Sequence, residues 1–270
     1  MSSIAVKTIL RETLKTLRHP SRVRRLINTD LLVQHLQRES LRDVVKDRWA
    51  VEGEGAGLRR REYRSYEDYI AHQRDKLTRL SDAKMRRYDE EFRAALKERL
   101  QASGIIEPGM SVLCLAARIG TEVRAFTDLG CFAVGIDLNP GEANPYVLPG
   151  DFHQLQFADA CVDAVFTNSL DHAFDFDRLI SEIVRVLKPG GRLIVEAARG
   201  SEEGLKPGFY ESFWWSRVDD LIDALAVRGF ELQSRSAFTF PWVGEHLCFL
   251  CRGSDAAESD EAMVAEVACG

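Results

Sequence analysis

No apolar stretch in this chain approaches the roughly 18 residues that a membrane-crossing helix needs. The opening "MSSIAVKTILRETLKTLRHP" has no continuous apolar core either, which sets aside a secretory leader. Cysteine is sparse and scattered, at positions 114, 131, 161, 248, 251 and 269, and most of these lie in apolar runs. Buried free thiols in a reducing cytoplasm are therefore expected, rather than a disulfide framework. "CFLC" at 248–251 has CxxC spacing, but it sits in an alternating apolar run with no second ligand pair, so no metal is assigned to it. No internal repeat is visible.

What is present is ample for a core: 270 residues, 45% hydrophobic and 29% charged. That suits one sizeable domain with an extension. The charge is split unevenly, with 24 Lys and Arg against 16 Asp and Glu in residues 1–103, and 12 against 26 in the rest. Because acids are mixed among the bases almost everywhere in the front part, a solvated helical surface is favoured over a nucleic-acid or lipid contact.

Residues 1–50 carry helical spacing, broken near Pro20, and "VEGEGAG" (51–57) interrupts it. Further helices are expected over Tyr66–Leu80 and Met85–Leu100. After Pro108 the pattern changes. Strands are expected at Ser111–Leu115, Phe132–Ile136, near Tyr146–Leu148, at Val162–Thr167 and at Arg192–Glu196, with helices at Thr121–Leu129 and Asp177–Leu187 between them. Short apolar strands alternating with amphipathic helices imply a parallel sheet covered on both faces. "FELQSRSAF" and "EHLCFLCR" leave no room for a helix between them, which predicts an antiparallel hairpin at the end. The small, acidic residues 253–270 read as a mobile tail.

The stretch "VLCLAARIGTEV" (112–123) reads as strand, tight turn and helix, the arrangement in which backbone N–H groups cradle a cofactor. Positions that ask for glycine hold Ala116 and Arg118, and only Gly120 keeps it. Asp137 closes the next strand 21 residues beyond Ala116, a spacing that suits a carboxylate accepting from ribose hydroxyls. Asp151 follows the third strand, and "NSLDH" (168–172) follows the fourth.

In order and spacing, "GIDLNP", "GDFHQLQFADACVDAVFTNSLDH" and "EIVRVLKPGGRLIVE" resemble the class I S-adenosylmethionine-dependent methyltransferases of the general methyltransferase-domain branch, over about residues 105–252. The resemblance implies a Rossmann-like, seven-stranded, mostly parallel α/β sheet with an antiparallel terminal hairpin, preceded by a helical extension (1–104). It implies S-adenosyl-L-methionine across the strand ends, with Ala116, Arg118 and Gly120 in the loop and Asp137 and Leu138 at the ribose. Asp151 would read the adenine amino group with Phe152 beside the ring, and Asn168 and Ser169 would line the methyl-transfer side. The acid usual before the loop is Cys114 here. Two readings of the loop stay open: an altered but working site, in which Arg118 pairs with the cofactor carboxylate, or a spoiled pocket in a binding protein.

The turn after the fourth strand lacks the Asn/Asp-Pro-Pro-aromatic sequence of many amine methylators, and no Pro-Cys nucleophile is present. An oxygen acceptor on a small molecule or glycan is the first expectation, with His172 as base and Asp171 orienting it. The alternatives are an RNA or protein methyltransferase, or an inactive member of the fold; a nicotinamide oxidoreductase is disfavoured by the terminal hairpin. The stretch "RRREYRSYEDYIAHQRDKL" (59–77) reads as a lid or acceptor-binding element, and Trp214 and Trp215 as core and rim of the helix that follows them.

Overall fold

A computed structural model describes residues 45, 48–53, 57–75 and 82–252 of the chain. The helices expected in 1–44 and the tail expected at 253–270 lie outside the described residues.

The central sheet is built from β3 (Ser111–Leu115), β4 (Phe132–Asp137), β5 (Val147–Pro149), β6 (Val162–Thr167), β7 (Leu187–Ala198), β9 (Phe230–Phe238) and β10 (Gly244–Cys251). Their order is β5-β4-β3-β6-β7-β10-β9. Neighbours from β5 through β7 are parallel, whereas β10 runs antiparallel to both β7 and β9. The mostly parallel sheet and its terminal hairpin are as the sequence implies, and the last strand lies inside the sheet rather than at its edge.

Alternation of side chains sends each strand's residues to two cores. Leu113, Leu115, Val165, Leu193, Val195, Leu247 and Phe249 pack toward α4 (Phe176–Val186) and α5 (Val218–Ala226), meeting Leu179, Ile180, Ile183 and Leu221. Val112, Cys114, Ala164, Phe166, Ile194 and Cys248 face the other way. There they meet Phe92, Leu96 and Leu100 of α2 (Asp82–Ser103), with Val123 and Phe126 of α3 (Thr121–Asp128). Both faces are covered, which is why the strands read as nearly continuous apolar runs. The side chain of Asp175 caps α4 by accepting from the Arg178 N–H at 2.9 Å.

Two features depart from the sequence reading. "KPGG" does not separate helix from strand: β7 starts directly after α4, and the register against β6 slips between Val162 and Ala164, leaving residues 188–191 bulged out. Before the main domain, β1 (Trp49–Glu52) and β2 (Leu58–Arg61) form a hairpin where the sequence suggested a helix end and an interruption. This hairpin pairs with β8 (Phe213–Trp215), Leu58 opposite Trp215 and Arg60 opposite Phe213. Trp214 and Trp215 are thus strand residues, both buried, with α5 starting at Val218. Finally, α1 (Tyr66–Asp75) lies over the C-terminal ends of the parallel strands, where the Tyr69 hydroxyl donates to the His172 carbonyl at 3.0 Å.

Candidate active site

The turn between β3 and α3 takes the glycine-like shape without the glycines. Ala116 and Arg118 sit at φ 53° and 47°, and Gly120 at 83°. Left-handed backbone at a residue with a Cβ is strained by about 1–2 kcal/mol. Hydrogen bonds hold it there: Ala117 N–H to the Ile136 carbonyl at 2.9 Å, and Arg118 N–H to Asp137 Oδ2 at 3.0 Å. Gly120 could not be replaced so readily, since a Cβ there would lie 2.6 Å from Tyr146 Cβ. Arg118→Gly is therefore expected to raise the melting temperature, by about 1 kcal/mol of stability, and Arg118→Ala to leave it nearly unchanged. Thermal unfolding of the two variants measures this.

Asp137 is the hinge of the site. Its Oδ2 accepts from Arg118 N–H and its Oδ1 from Asn139 N–H at 2.8 Å, and lone pairs remain for a further donor. Around it opens a cavity at the strand ends, lined by Ala116, Arg118, Asp137, Leu138, Phe152, Ser169 and His172, with Tyr69 and Gln73 of α1 as its cover. Seven of the residues expected from sequence thus share one wall. With α1 in place the cavity measures about 60 Å³.

Asp151 does not line it. The Tyr66 hydroxyl of α1 donates to Asp151 Oδ2, and Oδ1 accepts from both the backbone N–H and the Nδ1 of His153, each at 2.9 Å. Burial opposes its charge, yet the His153 and Tyr66 hydrogen bonds hold its carboxyl below the usual range. His153 Nε2 in turn accepts from the Phe174 and Asp175 N–H groups, so this histidine is a structural bracket. Gly120 stands behind the cavity as the cap of α3.

Asn168 and Asp171 face a second, larger cavity of about 450 Å³. Tyr88, Trp214, Trp215 and Trp242 supply aromatic walls, and Glu196, Glu211 and Lys206 supply charge. Arg118, Ser169 and His172 line both cavities. His172 Nδ1 lies 2.9 Å from the Tyr210 carbonyl. A carbonyl only accepts, so Nδ1 carries the proton and the lone pair is on Nε2, 3.7 Å from Asp171 Oδ1. The ligand atoms of Asp171, His172 and Glu211 lie within 4.8 Å of one another, close enough to gather round a cation.

Sequence reasoning missed Glu122, buried at 6% exposure on the first turn of α3. Asn168 Nδ2 donates to its Oε1 at 3.1 Å. Burial pushes its carboxyl up to about 7, against the pull of its own backbone N–H, of Arg118 and of Asn168. A signal was present: Glu122 is four residues before the buried Phe126, a carboxylate on the apolar face of an amphipathic helix.

Residues 113–195 match the family described as a methyltransferase domain. Over 114 residues the chain is 34% identical to the demethylmenaquinone methyltransferase of Corynebacterium glutamicum, covering 40% of this chain and 48% of that one. The chain thus spans about half the length of that curated relative. Among solved structures it is similar to the 1,6-didemethyltoxoflavin-N1-methyltransferase of Burkholderia thailandensis, crystallised with 1,6-didemethyltoxoflavin and S-adenosylhomocysteine. There the TM-score is 0.54 at 14% identity, over 74% of this chain and 98% of that one. A SAM dependent methyltransferase from Aquifex aeolicus gives 0.51 at 16% identity, over 64% and 100%. The chain carries the fold of the class I S-adenosylmethionine-dependent methyltransferases, with a methyltransferase domain at its centre. Among the described residues no helix is long and apolar enough to cross a membrane.

Proposed function

We propose that the protein is an S-adenosylmethionine-dependent methyltransferase that moves a methyl group to an oxygen acceptor on a small molecule or glycan. The observation that carries this reading is the pair of adjoining cavities sharing Arg118, Ser169 and His172, one at the strand ends and one beyond. The residues fit the cofactor: a left-handed loop over the strand ends, an Asp137 carboxylate with acceptor capacity to spare, and an Arg118 guanidinium lining both cavities. Residues 105–252 form the transferase domain in this reading, 1–104 an extension whose α1 serves as lid or acceptor-binding element, and 253–270 an acidic tail. Described cysteines that are all free thiols agree with a cytoplasmic setting.

When bound, the cofactor supplies a methyl carbon activated by a sulfonium. The chain's own part is to align the acceptor oxygen with that carbon and to take the acceptor's proton. Asp137 would hold the ribose hydroxyls, with Leu138 beside it and Phe152 toward the adenine. Arg118 would pair with the cofactor carboxylate. Asp151, whose Oδ2 accepts from Tyr66 here, would read the adenine amino group. His172 Nε2 is the base, and Asp171 stabilises the imidazolium that results.

Asp137→Ala should weaken S-adenosylmethionine and S-adenosylhomocysteine binding by about 1.5–3 kcal/mol, since a charged acceptor for the ribose is lost. Titration calorimetry measures this, with thermal unfolding to check that the loop still folds. No detectable binding by the wild type at millimolar ligand would overturn the cofactor assignment. Binding without transfer to any acceptor would favour the inactive-fold alternative, to which the Tyr66–Asp151 bond and the tight cover of α1 lend support.

A further inference from the structure

Several polar side chains around the larger cavity are already paired. Glu196 is held by Arg99 at 2.6 Å and by His246, Asn168 donates to Glu122, and Trp215 Nε1 donates to the Ala198 carbonyl at 2.8 Å. Others are left unmet. Trp214 is 4% exposed, yet its Nε1–H has no hydrogen-bond partner among the described residues. The Trp242 Nε1–H and Glu211 Oε2 are likewise buried and unpartnered there, and all three side chains line this cavity. A buried donor or acceptor left unmet is costly, so an unmet set around one space points to what that space receives.

The set calls for both kinds of hydrogen bond. An indole only donates, and an ionised carboxylate only accepts. A hydroxyl answers both, accepting from one neighbour and donating to another. An ionic ligand is not required, because Lys206 and Arg118 share the lining with Asp171 and Glu211, and Glu196 has its own cations. A hydrocarbon chain would leave the indole donors and the carboxylate unmet.

Spacing narrows the ligand further. The ligating atoms of Asp171, His172 and Glu211 lie within 4.8 Å of one another. One hydroxyl on His172 Nε2 therefore leaves a hydroxyl on the adjacent carbon within reach of Glu211. Tyr88 and Trp242, both partly buried, add aromatic faces, whose negative charge density attracts C–H bonds directed at them. A saturated ring with hydroxyls around its rim and C–H bonds on its face meets all of these at once. The cavity, about 450 Å³, lies within the roughly 300–1,000 Å³ usual for small-molecule sites.

We propose that the acceptor is a pyranose-type sugar presenting a vicinal diol. One hydroxyl faces His172 and receives the methyl group, its neighbour donates to Glu211, and the Trp214 and Trp242 N–H groups serve the remaining oxygens. This rests on the oxygen-acceptor reading above and selects the sugar from it. As the methyl group passes from sulfur to the first oxygen, that oxygen's proton goes to His172 Nε2 and the sulfonium becomes a neutral thioether. Glu211 takes no proton and serves to bind.

The test is methyl transfer by the full chain from S-adenosylmethionine to the methyl pyranosides of mannose, glucose and galactose. Each is assayed beside its single-deoxy analogues, with catechol as an aromatic diol. NMR locates the methyl group in the product, and calorimetry follows S-adenosylhomocysteine binding in parallel. Wild type is compared with Glu211→Gln and with Trp214→Phe, which keeps an aromatic ring and removes the N–H. At least one pyranoside should be O-methylated, and loss of the hydroxyl beside the methylated one should lower kcat/KM by about tenfold or more. Glu211→Gln should raise KM for that sugar by about tenfold, move kcat far less, and bring the intact and deoxy sugars to nearly equal kcat/KM. Trp214→Phe should raise KM in the same way, by about fivefold. A merely structural Glu211 would lower both sugars alike and leave their ratio as in the wild type. The wild-type comparison of intact and deoxy sugars decides the matter even if a variant fails to fold. Transfer to catechol but to no pyranoside overturns the sugar, and equal rates for intact and deoxy sugars overturn the diol. Transfer that needs an added divalent cation and stops with a chelator gives Asp171, His172 and Glu211 to a metal and overturns the Glu211–hydroxyl bond. If S-adenosylhomocysteine binds but no pyranoside is methylated at high millimolar concentration, the sugar falls and the cofactor assignment stands. If S-adenosylhomocysteine does not bind the wild type, the methyltransferase reading falls and the sugar with it.

Discussion

In a His172→Ala variant, turnover with a hydroxyl acceptor is expected to fall by about 10²–10⁴-fold, while S-adenosylhomocysteine binds as in the wild type. A neutral hydroxyl is a poor nucleophile at pH 7 and attacks well only as its proton leaves. His172 Nε2 is the basic nitrogen at the junction of the two cavities, because Nδ1 is committed to the Tyr210 carbonyl. Asp171 Oδ1, 3.7 Å away, favours the charged ring once the proton has arrived. The imidazole also supports the backbone at Tyr210, so His172→Asn is the companion variant: its amide can still donate there but offers no base. Both should lose rate together. Unchanged turnover in either variant removes His172 from the chemistry. A loss below tenfold would point to an acceptor already anionic, such as a carboxylate.

Glu122→Gln should make the protein more stable at pH 8, with the gain shrinking as pH falls toward 4. The sign follows from the direction of the shift. A carboxyl whose folded pKa is raised to about 7 holds its proton in the native state at pH values where the unfolded chain has released it. Stability is greatest below the unfolded value, about 4.3, and falls as pH rises toward 7. The full difference is roughly 3 kcal/mol, which for a domain of this size corresponds to about 6–12 °C in melting temperature. His246 adds a background of the same sign. Burial opposes its charge, but Cys248 and Glu196 raise it to about 9, so its contribution is also lost as pH rises. The informative quantity is thus the difference between variant and wild type, measured by thermal unfolding from pH 5 to pH 8. A difference that does not grow with pH would show that the native protein gives up the Glu122 proton as readily as the unfolded chain.

What could be read from the sequence was whatever a local pattern dictates. β3 and β6 are short, nearly continuous apolar runs, so their bounds followed from the residues alone, although the sorting of Val112 and Cys114 to one core and Leu113 and Leu115 to the other did not. Asp137 was legible because strand length and turn geometry put a carboxylate at a set distance from the loop. β8 was not: three aromatic residues have no period, and Phe213–Trp215 become a strand only by pairing with β2, more than 150 residues earlier. The cover over Asp151 was illegible for the same reason, since Tyr66 meets it across 85 residues. The helix carrying Tyr66, Tyr69 and Gln73 was visible, but not what it rests on. Glu122 was overlooked for a different reason, as an acid near a helix start reads as a favourable surface charge unless its register with Phe126 is checked.

The position of β10 between β7 and β9 sets a timetable for making this protein. Synthesis runs from the N-terminus, so β7 emerges with one edge bare and stays so until residues 244–251 are available to pair with it. Until then, Arg192 to Ala198 present an open row of N–H and C=O groups on an apolar strand, a surface that a second nascent chain could join. β9 cannot close that edge, because it reaches the sheet only through β10. A ribosome that stalls or a frame that breaks before Gly244 therefore releases a chain carrying the whole glycine-poor loop, Asp137 and His172, yet with its sheet unsealed. Such a chain is a substrate for chaperones and proteases rather than a weak version of the finished protein.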